Sequence, residues 1–442
     1  MRRALLRSVL LPLGDRLAGQ TVMRHLRFYE RSQTWPRERI LAEQDRRIRE
    51  LIQAAWAGSE FYRDLFTAAG VTPADIGGKA DLGRLPMVSK DMLREAYPDR
   101  VTLSTRFRTR EYSTSGSTGR PFALLIDDDS MSQARALMLL RTRYAGWDFG
   151  EPMFQTGMAV ERGRMKALKD RLLRVTYRSA YDLSPAVLDA YLEVIEAGKL
   201  RFLAGYAQSL HLLAERALAV GFNHRCRAAV TWGSNLLPQY RRSIRQAFGC
   251  ETFDSYGVGE GMQIAAQSVH SGELMHQFCL HVAAEIVDRE GQPVPDGERG
   301  EILLTRLNAG AMPLIRYRIG DMGRAAAEGR ATGPINLPLW SGIDGRVSDI
   351  VYTPSGNQLI VEFFFGIFQY APTITLFQVV QTRLDTLEIK ICVAPDFEPA
   401  HWQEVADAIH AKGDPDLRLE MQVVGDIPLE ISGKRRFVIS RI

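Results

Sequence analysis

The chain has 442 residues, 45% of them hydrophobic and 24% charged, with a formal net charge of +4. That length exceeds one hydrophobic core and predicts two or three domains. The weak, unclustered positive balance argues against a nucleic-acid binder, no apolar run is long enough to span a bilayer, and four scattered cysteines without a C-x-x-C pair argue against a disulfide framework. A cytoplasmic enzyme of ordinary globular composition is expected.

Residues 1–26 mix arginines with Leu5, Leu6, Val9, Leu10, Leu11, Leu13 and Leu17. Pro12 interrupts the run and no small-residue cleavage site follows, so it does not read as a signal peptide. Such a basic amphipathic segment can rest on an anionic membrane surface, but docking on its own protein is the expected outcome. From 37 to 57, apolar Ile40, Leu41, Ile48, Leu51, Ile52 and Ala55 recur at helical spacing. Residues 81–86 read as a turn, and Ser89 as a helix cap before Met92 and Leu93.

The stretch from Tyr112 to Pro121 is dense in glycine and hydroxylated residues: Ser113, Thr114, Ser115, Gly116, Ser117, Thr118 and Gly119, followed by Arg120. Glycines allow close backbone approach, successive amides can converge on an anion, and Arg120 can hold phosphate oxygens. A polyphosphate loop and a solvated hairpin turn are both compatible with these residues. The loop is not of the Walker form, because no Lys-Ser/Thr closes it.

A helix is predicted over 130–145 and a strand over 154–160. Ser184-Pro185 opens a further helix to about 197. Residues 201–206, a helix through 218, and 228–232 give strand, helix, strand, which argues for a largely parallel α/β sheet binding its ligand at the carboxyl ends of the strands. Residues 283–288 and 300–305 read as antiparallel strands around a Pro/Gly loop. A second antiparallel pair is predicted at 373–381 and 386–393, then a helix at 400–411 and a strand at 417–424, as a small separate α+β domain.

Several short constellations carry potential chemistry. Tyr256 stands among glycines after a predicted strand, where an aromatic can lie against a nucleobase, with Glu260 placed to reach a cation. Asp321 ends another predicted strand and can accept ribose hydroxyls. Packing of Tyr256 and a turn role for Asp321 are the plainer readings of each alone. His270, His276, Cys279 and His281 could in principle ligate zinc, but no fixed C-x-x-C spacing supports a closed site. Ordinary surface histidines are expected there.

The order of these motifs is more telling than any one of them. Ser115-Gly-Ser-Thr-Gly-Arg-Pro121, Tyr256-Gly-Val-Gly-Glu260, Tyr317-Arg-Ile-Gly-Asp321, Gly345-Arg-Val-Ser-Asp349 and Ser432-Gly-Lys434 resemble, in sequence order, the motifs of the adenylate-forming superfamily of acyl-CoA synthetases, luciferases and peptide-synthetase adenylation domains. The resemblance spans roughly 35–442. The stretch 311–318 is similar to the phenylacetate–CoA ligase branch, and 363–368 with 377–381 to its capsular-polysaccharide-biosynthesis relatives.

The resemblance implies a large multi-layer N-terminal domain at 1–346, with mainly parallel sheets and a small β-barrel-like part. It also implies a small mobile α+β domain at 349–442, rotating about a hinge near 347–348, where Ser348 stands in place of the family's usual Asp or Lys. The implied reaction is two-step: a carboxylate attacks the α-phosphate of ATP to give an acyl-adenylate and pyrophosphate, and a thiol, an amine or a carrier protein then takes the acyl group. Thr114 to Arg120 would hold the β- and γ-phosphates. Gly233, Ser255, Tyr256 and Gly257 would contact the nucleotide, with Tyr256 stacked on adenine, Asp321 on the ribose and Arg346 nearby. Glu260 would bind Mg²⁺, and Lys434 would stabilise charge during adenylation. The acyl pocket would lie near Tyr206, Trp232, Gly233, Tyr256 and Gly257. Residues 350–358 read as a turn between strands in place of the family's glycine-containing thiol-tunnel loop, which argues against CoA as the acceptor. An adenylyltransferase that leaves AMP on a small molecule, like the coenzyme F390 synthetases, and a non-catalytic nucleotide-binding relative are the competing readings.

Overall fold

The computed structural model describes residues 2–114, 122–159, 163–326, 333–344, 350–368, 370–428 and 436–442. The 115–121 loop, Arg346, Ser348 and Lys434 lie outside the described residues, as do the side chains of Ser113 and Thr114.

In chain order, β1 (Thr109–Thr114) and β2 (Phe122–Asp127) form a two-stranded sheet. Next come β3 (Met153–Gly157), β4 (Val175–Ser179), β5 (Phe202–Tyr206) and β6 (Ala228–Trp232). They are followed by β7 (Glu251–Val258), β8 (Met262–Ala266), β9 (Met275–Gln277), β10 (Val282–Val287), β11 (Gly300–Arg306), β12 (Tyr317–Ala325) and β13 (Leu339–Asp344). The last part holds the short β14 (Val351–Tyr352) and β15 (Gln358–Leu359), then β16 (Ile374–Arg383), β17 (Thr386–Val393), β18 (Arg418–Val423) and β19 (Val438–Ser440).

The fold is mixed α/β, and its residues gather into two compact units drawn from interleaved parts of the chain. One takes Met1–Tyr112, Ala123–Gly146 and Asp254–Gly345; the other takes Ser113–Phe122, Trp147–Phe253 and Arg346–Ile442.

In the first unit β7 to β13 lie in the order β10-β11-β12-β13-β9-β8-β7, and every pairing given for them is antiparallel. The pair predicted at 283–288 and 300–305 is its β10–β11 edge. The predicted helix at 37–57 runs Arg37–Gly58 and buries Ile40, Ile48, Leu51, Ile52 and Ala55. Ser89 accepts from the Met92 amide and caps the helix Lys90–Ala96, whereas 81–86 falls largely in a 3-10 helix, Lys79–Arg84. The N-terminal segment docks only in part. Leu6 and Leu11 are buried, but Leu5, Val9, Leu13 and Leu17 remain exposed. Among the described residues no helix is long and apolar enough to cross a membrane.

Arg316 ties this unit together. It has a positive φ of 45°, and its buried guanidinium pairs with Glu285 at 3.0 Å while donating to the carbonyls of Leu85 and Gly291. Its own carbonyl accepts from the Val88 amide, and Val88 in turn accepts from Arg318 N. Burial raises the Glu285 carboxyl above its ordinary range, with the Arg316 charge opposing.

In the second unit the predicted strand–helix–strand is present as β5, the helix Ala207–Ala219 and β6, and β5, β6, β3 and β4 pair in parallel. β5 and β6 are buried along nearly their whole length, which is why they read as continuous apolar runs rather than alternating ones. β4 and the helix Arg164–Leu173 were not anticipated. β16 and β17 pair antiparallel as expected, and β18 and β19 complete a four-stranded sheet by parallel pairing at its two edges. Ile350 and Ile360 belong to the same apolar core as Phe154, Leu203, Ala229 and Phe248, so the C-terminal segment shares a core with 147–253. The helix Val361–Phe368 packs Phe363, Phe364 and Ile367 into an adjoining core with Tyr181 and Ile389.

Candidate active site

The first unit brings three of the sequence-predicted residues together. β7 and β8 are joined by Gly259-Glu260-Gly261, and the Gly261 amide donates to the Val258 carbonyl, the geometry of a three-residue hairpin. This turn places Glu260 at 4% exposure, with Oε1 accepting from the Tyr317 hydroxyl at 2.7 Å and facing Lys90 Nζ at 3.5 Å. Burial on its own would raise the carboxyl. The Lys90 charge and the Tyr317 hydrogen bond outweigh it, holding Glu260 below the usual carboxylate range and therefore ionised. The same burial, with Glu260 beside it, pushes the Tyr317 hydroxyl well up.

Asp321 lies on the same strand as Tyr317. It does not end that strand, as the sequence suggested, but sits in the middle of β12. The β11–β12 register slips between Glu301 and Leu303, opposite 319–321, and Gly320 there has φ +82°. A bulge of this kind re-aims the neighbouring side chain, and only glycine takes that backbone without strain. Asp321 is 9% exposed, and its Oδ2 accepts from the Tyr256 hydroxyl at 2.7 Å. Tyr256, expected just after a strand, lies inside β7 because that strand runs on to Val258, with buried Ser255 before it and Gly257 after it at a register shift. The Tyr256 ring is tilted against Trp340, with centroids 6.2 Å apart.

Lys90, Tyr317 and Trp340 were not picked out from the sequence. Lys90 carried a signal: a lysine in the first turn of a helix opposes the helix dipole and calls for a carboxylate partner. Nothing in the sequence singles out Trp340.

In the second unit the carboxyl ends of β5 and β6 bring Tyr206 and Trp232 side by side, paired in register with ring centroids 6.2 Å apart. Gly233 follows with φ +89°, and a Cβ there would lie 2.5 Å from the Tyr206 ring and 3.2 Å from Glu362 Oε1. Glu362, another residue missed from the sequence, is 8% exposed, and neither carboxylate oxygen has a hydrogen-bond partner. Burial pushes it up to about 7; its own backbone amide and the Ser234 hydroxyl, close by but outside bonding geometry, pull weakly the other way. Its signal was a lone acid inside the apolar run Leu359-Ile-Val-Glu-Phe-Phe-Phe365.

The expectation of surface histidines fails at two positions. His270 is exposed, but His276 and His281 are fully buried along with Cys279. His276 Nε2 lies 3.0 Å from Ser268 Oγ, and His281 packs edge-on to Tyr29. Burial depresses both imidazoles, to about 4 and about 3, so they are neutral core residues. Among the described residues no group of three His, Cys, Asp or Glu side chains could hold a metal ion. A separate cavity of about 700 Å³ in the first unit is lined by Arg37, Lys79, Gln277, Glu285 and Trp340, and does not include Tyr256, Glu260 or Asp321.

Known proteins resemble the chain along most of its length. The family model described as "AMP-binding enzyme" matches residues 171–310, and that for the "CapK C-terminal domain" matches 351–441. The chain is thus similar to AMP-binding enzymes over 171–310 and to CapK in its C-terminal part. The phenylacetate-coenzyme A ligase of Thermus thermophilus is 26% identical over 397 residues, covering 84% of this chain and 86% of that protein. Protein CapK of Staphylococcus aureus is 22% identical over 421 residues, covering 90% and 89% respectively. The crystal structure of a 2-hydroxyisobutyryl-CoA ligase in the postadenylation state superposes with a TM-score of 0.60 at 21% identity, covering 93% of this chain and 91% of that one, which establishes a shared fold.

Proposed function

We propose that this chain is a member of the adenylate-forming superfamily, an ATP-dependent carboxylate ligase that forms an acyl-adenylate with release of pyrophosphate and passes the acyl group to a thiol. The observation that carries this reading is the linked set in the first unit: Tyr256 bonded to Asp321, and Asp321 on the strand whose Tyr317 holds Glu260. Relatives named as phenylacetate-coenzyme A ligases support the same chemistry.

In this reading Asp321 receives the ribose hydroxyls, Tyr256 stands beside the adenine with Ser255 and Gly257 on the same strand, and 114–120 holds the outer phosphates. Arg346 and Lys434 act on the charge that develops at the α-phosphate. Glu260 fits a magnesium site because it is ionised and pre-positioned, although Lys90 must give way for a cation to reach it. A bound magnesium ion would neutralise phosphate charge. Residues 349–442 would reorient about 347–348 between the half-reactions. That reorientation must separate Ile350 and Ile360 from their core neighbours, at about 1.5–3 kcal/mol for each side chain exposed.

The experiment is a panel of carboxylic acids screened for ATP-dependent pyrophosphate release, each with and without CoA. Acid-dependent release is expected, and a CoA thioester as product would identify CoA as the acceptor. Binding of ATP without pyrophosphate release from any acid would reject the ligase reading in favour of a nucleotide-binding relative. An AMP conjugate accumulating as the end product would favour an adenylyltransferase.

A further inference from the structure

Glu362 stands at a point where a buried carboxyl has no evident structural use. It is more than nine-tenths buried, both oxygens lack partners, and the neighbouring Ser234 Oγ lacks one too. A buried polar group left unpaired is costly, and more so when charged, so such groups mark a site completed by something from outside the fold.

The surroundings say where that something enters. Gly233 is exposed, and its backbone runs so close to both the Tyr206 ring and Glu362 Oε1 that a Cβ there would lie 2.5 Å from the first and 3.2 Å from the second. Tyr206 and Trp232 are the last residues of two adjacent parallel strands, the end of an α/β sheet at which ligands bind. Two neighbouring aromatic side chains and an unsatisfied acceptor therefore stand together beside an exposed glycine at this end of the sheet. A plain hydrocarbon acid would suit the aromatic side chains and leave the carboxyl buried without a partner.

Resting on the ligase reading, we propose that Glu362 is a specificity-determining residue of the acid site, accepting a hydrogen bond from a hydroxyl or ammonium group that the substrate carries in addition to the carboxylate it activates. Ser234 supplies a second polar contact to that group. The preferred substrates are hydroxy or amino acids in the chemical sense, and unsubstituted acids of the same shape are poor ones.

The test uses matched series: isobutyrate, 2-hydroxyisobutyrate and 2-aminoisobutyrate; phenylacetate, mandelate and phenylglycine; hexanoate, 6-hydroxyhexanoate and 6-aminohexanoate. The readout is the ratio of kcat/KM for pyrophosphate release within a series, which a merely structural role would not move. For the wild type, one donor-bearing acid should exceed its parent by about a hundredfold, the scale expected when a site built for a polar group meets an analogue lacking it. Glu362→Leu, which removes an unsatisfied buried group and should fold, brings that ratio close to one. Glu362→Gln keeps a preference for a hydroxyl acid and loses one for an ammonium acid, which tells the two sources apart. Equal turnover of parent and substituted acids by the wild type, or an unchanged ratio in an active Glu362→Leu, overturns the proposal while leaving the ligase reading intact. If no acid releases pyrophosphate, the ligase reading fails. Glu362 then keeps its role only if a donor-bearing acid raises the Tm of the wild type and not of Glu362→Leu; no such shift overturns it as well.

Discussion

The Tyr256 hydroxyl donates to Asp321 Oδ2 at 2.7 Å, joining β7 to β12, strands that lie well apart in the order of their sheet. A tyrosine expected to stack on adenine and to border the acyl pocket thus also fixes the carboxylate assigned to the ribose. Tyr256→Phe keeps the ring and removes the bond. Because the acceptor is a carboxylate, the loss is on the order of 1.5–3 kcal/mol, divided between folding and nucleotide binding. The expected outcome is a KM for ATP raised about tenfold with kcat little changed. Unchanged ATP kinetics in Tyr256→Phe would separate Asp321 from nucleotide binding.

Lys90 and Glu260 form a buried pair, so removing one partner strands the other. Lys90→Met should destabilise the protein by about 3–5 kcal/mol, and the double variant Lys90→Met with Glu260→Gln should recover part of that loss. Equilibrium urea unfolding checks both. Equal losses in the single and double variants would mean that the two are not coupled. The depressed Glu260 pKa gives the acid side: its contribution is fully present above the ordinary value of 4.5 and lost as pH falls through the lower folded value. Glu260→Gln should flatten the acid limb of the stability profile.

Glu362 has the opposite sign. Its folded pKa of about 7 lies above the ordinary 4.5, so the folded state binds the extra proton, and the associated stability is lost as pH rises from about 4.5 to 7. Glu362→Gln, which cannot ionise, should therefore gain Tm over the wild type at pH 8 and converge with it near pH 4. A constant difference across that range would place the carboxyl in contact with water.

Lys434 is assigned its role by motif. If it acts on charge that grows in the transition state, Lys434→Ala lowers the adenylation rate by at least about a hundredfold, or roughly 3 kcal/mol, and leaves ATP binding nearly intact. Single-turnover pyrophosphate release alongside equilibrium ATP binding measures both. Near-normal adenylation would leave Lys434 without a part in the chemistry.

The elements with strong local signals were legible. The 37–57 periodicity, the Ser89 cap, the Ser184-Pro185 helix start and the β16–β17 pair all stand close to where the sequence puts them. Less legible was whatever depends on partners distant in sequence. β4 and β19 are short and become strands only because β3 and β16 offer them edges. Asp321 reads as a strand end because Gly320 mimics a turn, while the bulge that keeps it inside β12 is set by the β11 register. Tyr256, Glu260 and Asp321 were found from their motifs, yet the atoms that orient them belong to Lys90, Tyr317 and one another. Glu362 needed only the question of why an acid stands within so apolar a run.

Arg316 binds the 83–91 region to the candidate nucleotide site. Its guanidinium holds the Leu85 carbonyl, its backbone meets Val88, the next residue is the Tyr317 that holds Glu260, and Lys90 closes the circuit. Any ligand that steadies Glu260 and Asp321 would deepen the energy well of this N-terminal stretch as well. Amide hydrogens from Leu85 to Met92 should then exchange more slowly with deuterium in the presence of ATP, a protection pattern that reports occupancy through residues far in sequence from Tyr256, Glu260 and Asp321.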